Sequence, residues 1–200
     1  MAEAVPHMAY HADSAYANVA FATDAMGASN VDAGGFGGAV SDITEQELDL
    51  ILRVGEHPAR TISRVNGDLS GCRNPGKALV PTKPLSRLPD SMFLLERWKP
   101  FMIGRWQQAD HINLGETRAV FNMVRGISCL PLCRNKILLS FCDNSACAGA
   151  VNKGRSSSWP LNFLIRKISA YLIFSNCTLF LPWLETGRMP ADWLSRVIVQ

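Results

Sequence analysis

Asp24, Glu116, Asp143 and Asp192 are the four residues of this chain whose types and settings suit metal-ion chemistry. Asp24 follows Phe21-Ala-Thr, Asp143 follows Leu138-Leu-Ser-Phe-Cys, Glu116 lies in His111-Ile-Asn-Leu-Gly-Glu, and Asp192 lies in Pro190-Ala-Asp-Trp-Leu-Ser-Arg. Gathered at one place, such carboxylates repel one another unless cations neutralise them. Hard divalent ions such as Mg²⁺ or Mn²⁺ take oxygen ligands. A pair of them held by carboxylates can drive phosphodiester hydrolysis. Each acid alone has a plainer reading. Asp24 suits a turn, Asp143 beside Asn144 suits a helix cap, and Glu116 and Asp192 suit the first turns of helices. Their joint order and context favour the metal reading.

Gathering them requires particular elements. Tyr16 to Thr23 predicts a first strand ending at Asp24, and the glycine-rich run 34–40 predicts a second strand that permits close backbone approach. That run lacks the Lys and hydroxyl of a phosphate loop. A short acidic amphipathic helix follows over 41–54, and residues 55–90 read as an irregular connection. A strand over 98–106 precedes a helix that Asn113 is expected to cap and that carries Glu116. Lys136 to Cys142 predicts an apolar strand, followed by helices over 145–151 and 159–174, a strand over 178–184, and a last helix over 190–197. The pattern predicts one α/β domain over 16–200, a mixed sheet flanked by helices with an irregular insertion at about 41–97, after a loose leader over 1–15. If Asp24 and Asp143 end neighbouring strands, both emerge at one sheet edge, where ligands commonly gather.

Charge is distributed unevenly. Residues 1–50 contain eight of the 17 acids and no Lys or Arg, so the remainder carries all 20 basic side chains against nine acids. Such a surface suits a polyanion. Lys153, Arg155 and Ser156 form a basic, hydroxyl-bearing connection suited to phosphate contacts. Asn113 and Asn144 are candidates for hydrogen bonds to sugar hydroxyls. The five tryptophans, Trp159 included, read as packing residues. Six cysteines include no Cys-x-x-Cys pair, so the spacing of Cys129, Cys133, Cys142 and Cys147 suits a zinc site poorly. The N-terminus reads as lacking a secretory signal, and the apolar stretch 168–184 is too interrupted for a membrane span. An intracellular protein with no membrane partner is the expectation.

The same motifs carry a family resemblance. Ala22-Thr-Asp-Ala-Met-Gly, Gly35-Phe-Gly-Gly-Ala, His111-Ile-Asn-Leu-Gly-Glu-Thr-Arg-Ala-Val, Asp143-Asn-Ser-Ala-Cys-Ala-Gly-Ala-Val, Lys153-Gly-Arg-Ser-Ser-Ser and Pro190-Ala-Asp-Trp-Leu-Ser-Arg occur in that order. The chain resembles the ribonuclease H domain of a retroelement polyprotein, of the reverse-transcriptase-associated kind found in DIRS-like retrotransposons. The resemblance implies a ribonuclease H-like fold, two Mg²⁺ or Mn²⁺ ions held by Asp24, Glu116, Asp143 and Asp192, and hydrolysis of the RNA strand of RNA–DNA hybrids. It also implies a reverse transcriptase domain encoded upstream. A non-catalytic nucleic-acid-binding or polyprotein module is the alternative, because residues 184–191 lack the His that many members carry there and Met189 stands where Asn is common. A transposase or recombinase of the same fold also uses clustered acids.

Overall fold

A computed structural model describes residues 16–27, 34–55, 88–107 and 110–197 of the chain. The leader over 1–15 and most of the irregular connection over 55–90 lie outside these residues. The chain divides into two compact units, Met1–Asp42 with Phe93–Gln200, and Ile43–Met92.

In the second unit, α1 (Glu45–Gly55) is started by a reciprocal cap. The Thr44 hydroxyl accepts from the Glu47 amide at 3.2 Å, and the Thr44 amide donates to Glu47 Oε2 at 3.0 Å. The Thr-x-x-Glu spacing sets this box, and two amides of the first turn are satisfied by it.

The first unit is built on a five-stranded sheet of order β3-β2-β1-β4-β5. The strands are β1 (Tyr16–Met26), β2 (Gly35–Asp42), β3 (Lys99–Arg105), β4 (Ile137–Phe141) and β5 (Thr178–Phe180). β1, β2 and β3 pair antiparallel, whereas β4 pairs parallel with both β1 and β5. This is the mixed sheet flanked by helices that the sequence predicts. β1 does not stop at Asp24. Its ladder with β2 continues from Asp24 opposite Gly37 to Met26 opposite Gly35, so Asp24 sits inside a paired strand. β5 is shorter than the apolar run suggests. Pro182 has no N–H to extend the ladder, and pairing resumes only as a single bridge between Cys142 and Trp183.

Among the described residues four α-helices complete this unit: α2 (Ile112–Ile127), α3 (Ser145–Lys153), α4 (Trp159–Ser175) and α5 (Asp192–Val197). His111, not Asn113, caps α2, its Nδ1 accepting from the Asn113 amide at 3.3 Å. Helix α3 ends on Gly154 and α4 on Asn176, both in the left-handed conformation that closes a helix. Alternation along β1 divides the helices between the two faces. Phe21 packs into a buried cluster with Val120 and Met123 of α2, Ala148 of α3 and Ile168 of α4. Each large aliphatic or aromatic side chain buried there stabilises the fold by roughly 1.5–3 kcal/mol. Asp24 faces the opposite side, with α5. A Cβ on Gly37 would stand 2.4 Å from Leu194 Cβ, and one on Gly35 would stand 2.6 Å from the Ser195 carbonyl oxygen. The glycines of β2 therefore allow α5 to rest on bare strand backbone.

The tryptophans divide. Trp98 is buried beside Phe141, but Trp159, Trp183 and Trp193 are exposed, contrary to their reading as packing residues.

Candidate metal centre

Asp24 on β1, Glu116 on α2 and Asp143 just beyond β4 converge at one edge of the sheet. One carboxylate oxygen from each lies within 4.8 Å of the others. The parallel register that sets Ala22 beside Phe141 carries forward to bring Asp24 and Asp143 side by side. Glu116 arrives from the fifth position of α2 and is anchored to β1, its Oε1 accepting from the Ala25 amide at 3.2 Å.

Glu116 is the most confined of the three, at 2% exposure, and its Oε2 is buried with no hydrogen-bond partner. Burial, then the neighbouring Asp24 and Asp143 charges, push its carboxyl up to about 10. Burial likewise raises Asp24 to about 6. Ser195 opposes that rise, its hydroxyl donating to Asp24 Oδ2 at 2.5 Å, while Asp143 and Asp192 add to it. A site made only of oxygen donors, with an orphaned buried carboxylate oxygen and ionisation suppressed first by burial and then by mutual repulsion, fits a hard divalent cation.

The surrounding shell fixes the three acids. Trp183 Nε1 donates to the Asp143 carbonyl oxygen at 2.7 Å. Asn144 caps α3, its Oδ1 accepting from the Cys147 amide at 3.0 Å, and its Nδ2 donates to Asn113 Oδ1 at 2.9 Å. That amide bridge ties the start of α2 to the start of α3 and so relates Glu116 to Asp143. Asn113 and Asn144 thus sit beside the acids but act on each other.

Asp192 stands apart from the three. Its Oδ1 is held by Arg196, at 3.0 Å from Nε and 2.7 Å from Nη2, one helical turn away. It lies near enough to raise the Asp24 carboxyl, and Ser195 links the two, its hydroxyl lying 2.9 Å from the Asp192 carbonyl oxygen. Lys153 and Arg155 are exposed at the far end of α3, about 15 Å from Asp143 at 1.5 Å rise per residue. Ser156 shapes the turn before α4, its Oγ accepting from the Ser158 amide at 3.1 Å. Sequence reasoning missed Ser195, Arg196 and Trp183. The first two follow Asp192 at i+3 and i+4, a spacing that puts them on its helix face. Nothing in the sequence marks Trp183.

Among the described residues the thiols form no fourfold set. Cys129 is exposed, Cys133 and Cys177 are buried together, and Cys142 and Cys147 lie in mutual hydrogen-bond contact.

No protein-family model matches the chain, and no curated protein sequence matches it. Among solved structures, it is similar to the N-terminal RNase H domain of rv2228c from Mycobacterium tuberculosis, determined as a fusion with maltose-binding protein. The identity is 13%, the match covers 89% of this chain and 95% of that one, and the TM-score is 0.47. The chain itself folds as a mixed five-stranded α/β sheet with flanking helices and three carboxylates gathered at its edge.

Proposed function

We propose that this protein is a metal-dependent endonuclease that hydrolyses the RNA strand of RNA–DNA hybrids and derives from a retroelement. The convergence of Asp24, Glu116 and Asp143 within 4.8 Å, with a buried Glu116 oxygen left unpaired, carries the reading. These three would hold Mg²⁺ or Mn²⁺, and Asp192 would complete a site for a second ion. Such ions, when bound, supply an acidified water and stabilise charge developing on the phosphate.

The chain's own residues do the rest. At neutral pH the raised Glu116 and the partly raised Asp24 retain proton occupancy in the free protein, so cation binding releases protons from these carboxyls. Ser195 steadies Asp24, and Ala25 steadies Glu116, so two of the ligands are oriented beforehand. Arg196 holds Asp192 in an exposed pair of a kind worth about 0.5 kcal/mol, which a dication readily outcompetes. Asn113 and Asn144, half-buried beside Asp143, meet the sugar edge of the substrate. Lys153, Arg155 and Ser156 contact the backbone about four base-pair rises further along. The partner domain consistent with this role is a reverse transcriptase. Among the described residues no helix is long and apolar enough to cross a membrane.

The ion pair that keeps Asp192 outside the cluster favours a second reading, a nucleic-acid-binding module without turnover. Cleavage of an end-labelled RNA–DNA hybrid with Mg²⁺ decides between them. The nuclease reading expects cutting by the parent and none by Asp143→Asn. Equal behaviour of the two proteins removes it, and cutting of duplex DNA in place of the hybrid would point to a transposase-like enzyme.

A further inference from the structure

On the side of α2 turned away from Glu116, the helix lines a groove of about 470 Å³ with the start of α4. Leu114, Arg118 and Phe121 form its wall on α2, spaced so that they share one stripe. Trp159, Phe163 and Lys167 form the opposite wall, each one turn after the last. Trp159 is 75% exposed and Phe163 is 49% exposed. Their rings lie parallel, at 12° and 5.9 Å between centroids, and so offer a flat aromatic platform to solvent. Lys167 Nζ sits 4.4 Å over the Phe163 ring. Arg118 faces it across the groove, paired with the half-buried Asp110 at 2.9 Å, and among the described residues no carboxylate lines the groove itself.

We propose that this groove binds an unpaired nucleic-acid strand, with a base stacked on Trp159 and the adjoining phosphates at Lys167 and Arg118. A planar apolar face flanked by cations complements a base and its phosphate, and stacking on an aromatic ring requires a base that is not already stacked inside a duplex. An amphipathic helix would need a longer apolar channel with anchors at successive turns. The site is distinct from the carboxylate edge and does not rest on the nuclease reading.

The test is the affinity of fluorescein-labelled oligothymidylate, twelve nucleotides long, in buffer with EDTA and no divalent cation. Trp159→Ala should weaken binding about 5- to 100-fold, and Trp159→Phe should restore most of it. Lys167→Ala should reduce the slope of log affinity against log salt by about 0.7. Asp143→Asn should bind as tightly as the parent, which separates this site from failure or success of the nuclease. Absence of binding by the parent overturns the proposal, as does equal binding by the parent, Trp159→Ala and Lys167→Ala. An acidic peptide that binds in a Trp159-dependent manner where oligothymidylate does not would overturn it in favour of a protein partner.

Discussion

Helix α2 serves two regions of opposite character. One side delivers Glu116 to the sheet edge, where Asp24 and Glu116 are buried at 4% and 2% exposure among like charges. The other side delivers Arg118 and Phe121 to an open groove opposite a tryptophan that is three-quarters exposed. The first region is costly to the free protein, because buried carboxylates there can neither ionise freely nor all find hydrogen bonds. The second costs little, being exposed aromatic and cationic surface. A site that destabilises its own fold when empty must recover that cost from a ligand that enters it, whereas a site at the surface gains only what its partner adds.

The largest expected effect breaks this comparison most sharply. Glu116→Gln and Asp143→Asn should each lower hybrid cleavage by more than about 100-fold, above the range for groups that merely support metal ligands. Trp159→Ala should leave cleavage of a blunt, fully paired hybrid within about threefold. If the two classes of variant lose equal activity on that substrate, the division between the regions is wrong.

Packing under the carboxylate edge gives the next effect. Gly37→Ala places a Cβ 2.4 Å from Leu194 Cβ and 2.7 Å from the Ser195 amide, so α5 must lift from β2. Overpacking of this kind costs about 1–3 kcal/mol. It should also remove Ser195 from Asp24. Stability to chemical denaturation and hybrid cleavage should both fall, whereas Gly149→Ala, inside α3 where a Cβ meets nothing within 4 Å, should leave cleavage unchanged and raise stability by up to about 1 kcal/mol.

The pH dependence of stability sharpens the contrast further. Asp24 titrates at about 6 in the fold against 3.8 ordinarily, and Glu116 at about 10 against 4.5. Between the ordinary and raised values the folded state binds more protons than the unfolded chain, so stability falls as pH rises. The fall runs from about pH 4 through 6 for Asp24 and from about 4.5 towards 10 for Glu116. Thermal unfolding in chelator should show a lower midpoint at pH 8 than at pH 5. Glu116→Gln should flatten the alkaline part of that trend, and Trp159→Ala should follow the parent.

The smallest effect concerns Arg196. An exposed pair contributes about 0.5 kcal/mol, so Arg196→Ala should change unfolding little. By freeing Asp192 it should lower the Mg²⁺ concentration at half-maximal cleavage by a few-fold at most. A loss of activity as large as that of Asp143→Asn would make Arg196 part of the chemistry and not a holder of Asp192.

Much of the carboxylate edge was legible in the sequence. Asp24 and Asp143 follow apolar strand runs, and two parallel neighbours deliver such residues to one edge by register alone. The close approach allowed by Gly35 and Gly37 was legible too, although its occupant, α5, was not. The limits fall where tertiary packing decides. Strand β1 runs past Asp24 because β2 offers partners up to Gly35. His111 takes the cap of α2 although Asn113 is the commoner type for that position. Asp192 pairs with its own helix through Arg196, which places it beside the cluster of three and not within it. Trp159 has the composition of a packing residue, and only the fold shows that it faces solvent. The Thr44-x-x-Glu47 box was readable from spacing, and it starts α1 at Glu45, four residues later than the apolar periodicity alone suggests.

Calorimetric titration of Mn²⁺ at pH 7, in two buffers of different ionisation enthalpy, tests most directly whether the buried acids are a cation site. The expected result is saturable binding by the parent with release of protons, and loss of both the binding and the buffer dependence in Glu116→Gln. Identical heats from the parent and Glu116→Gln, or no binding by a folded parent, would contradict the account.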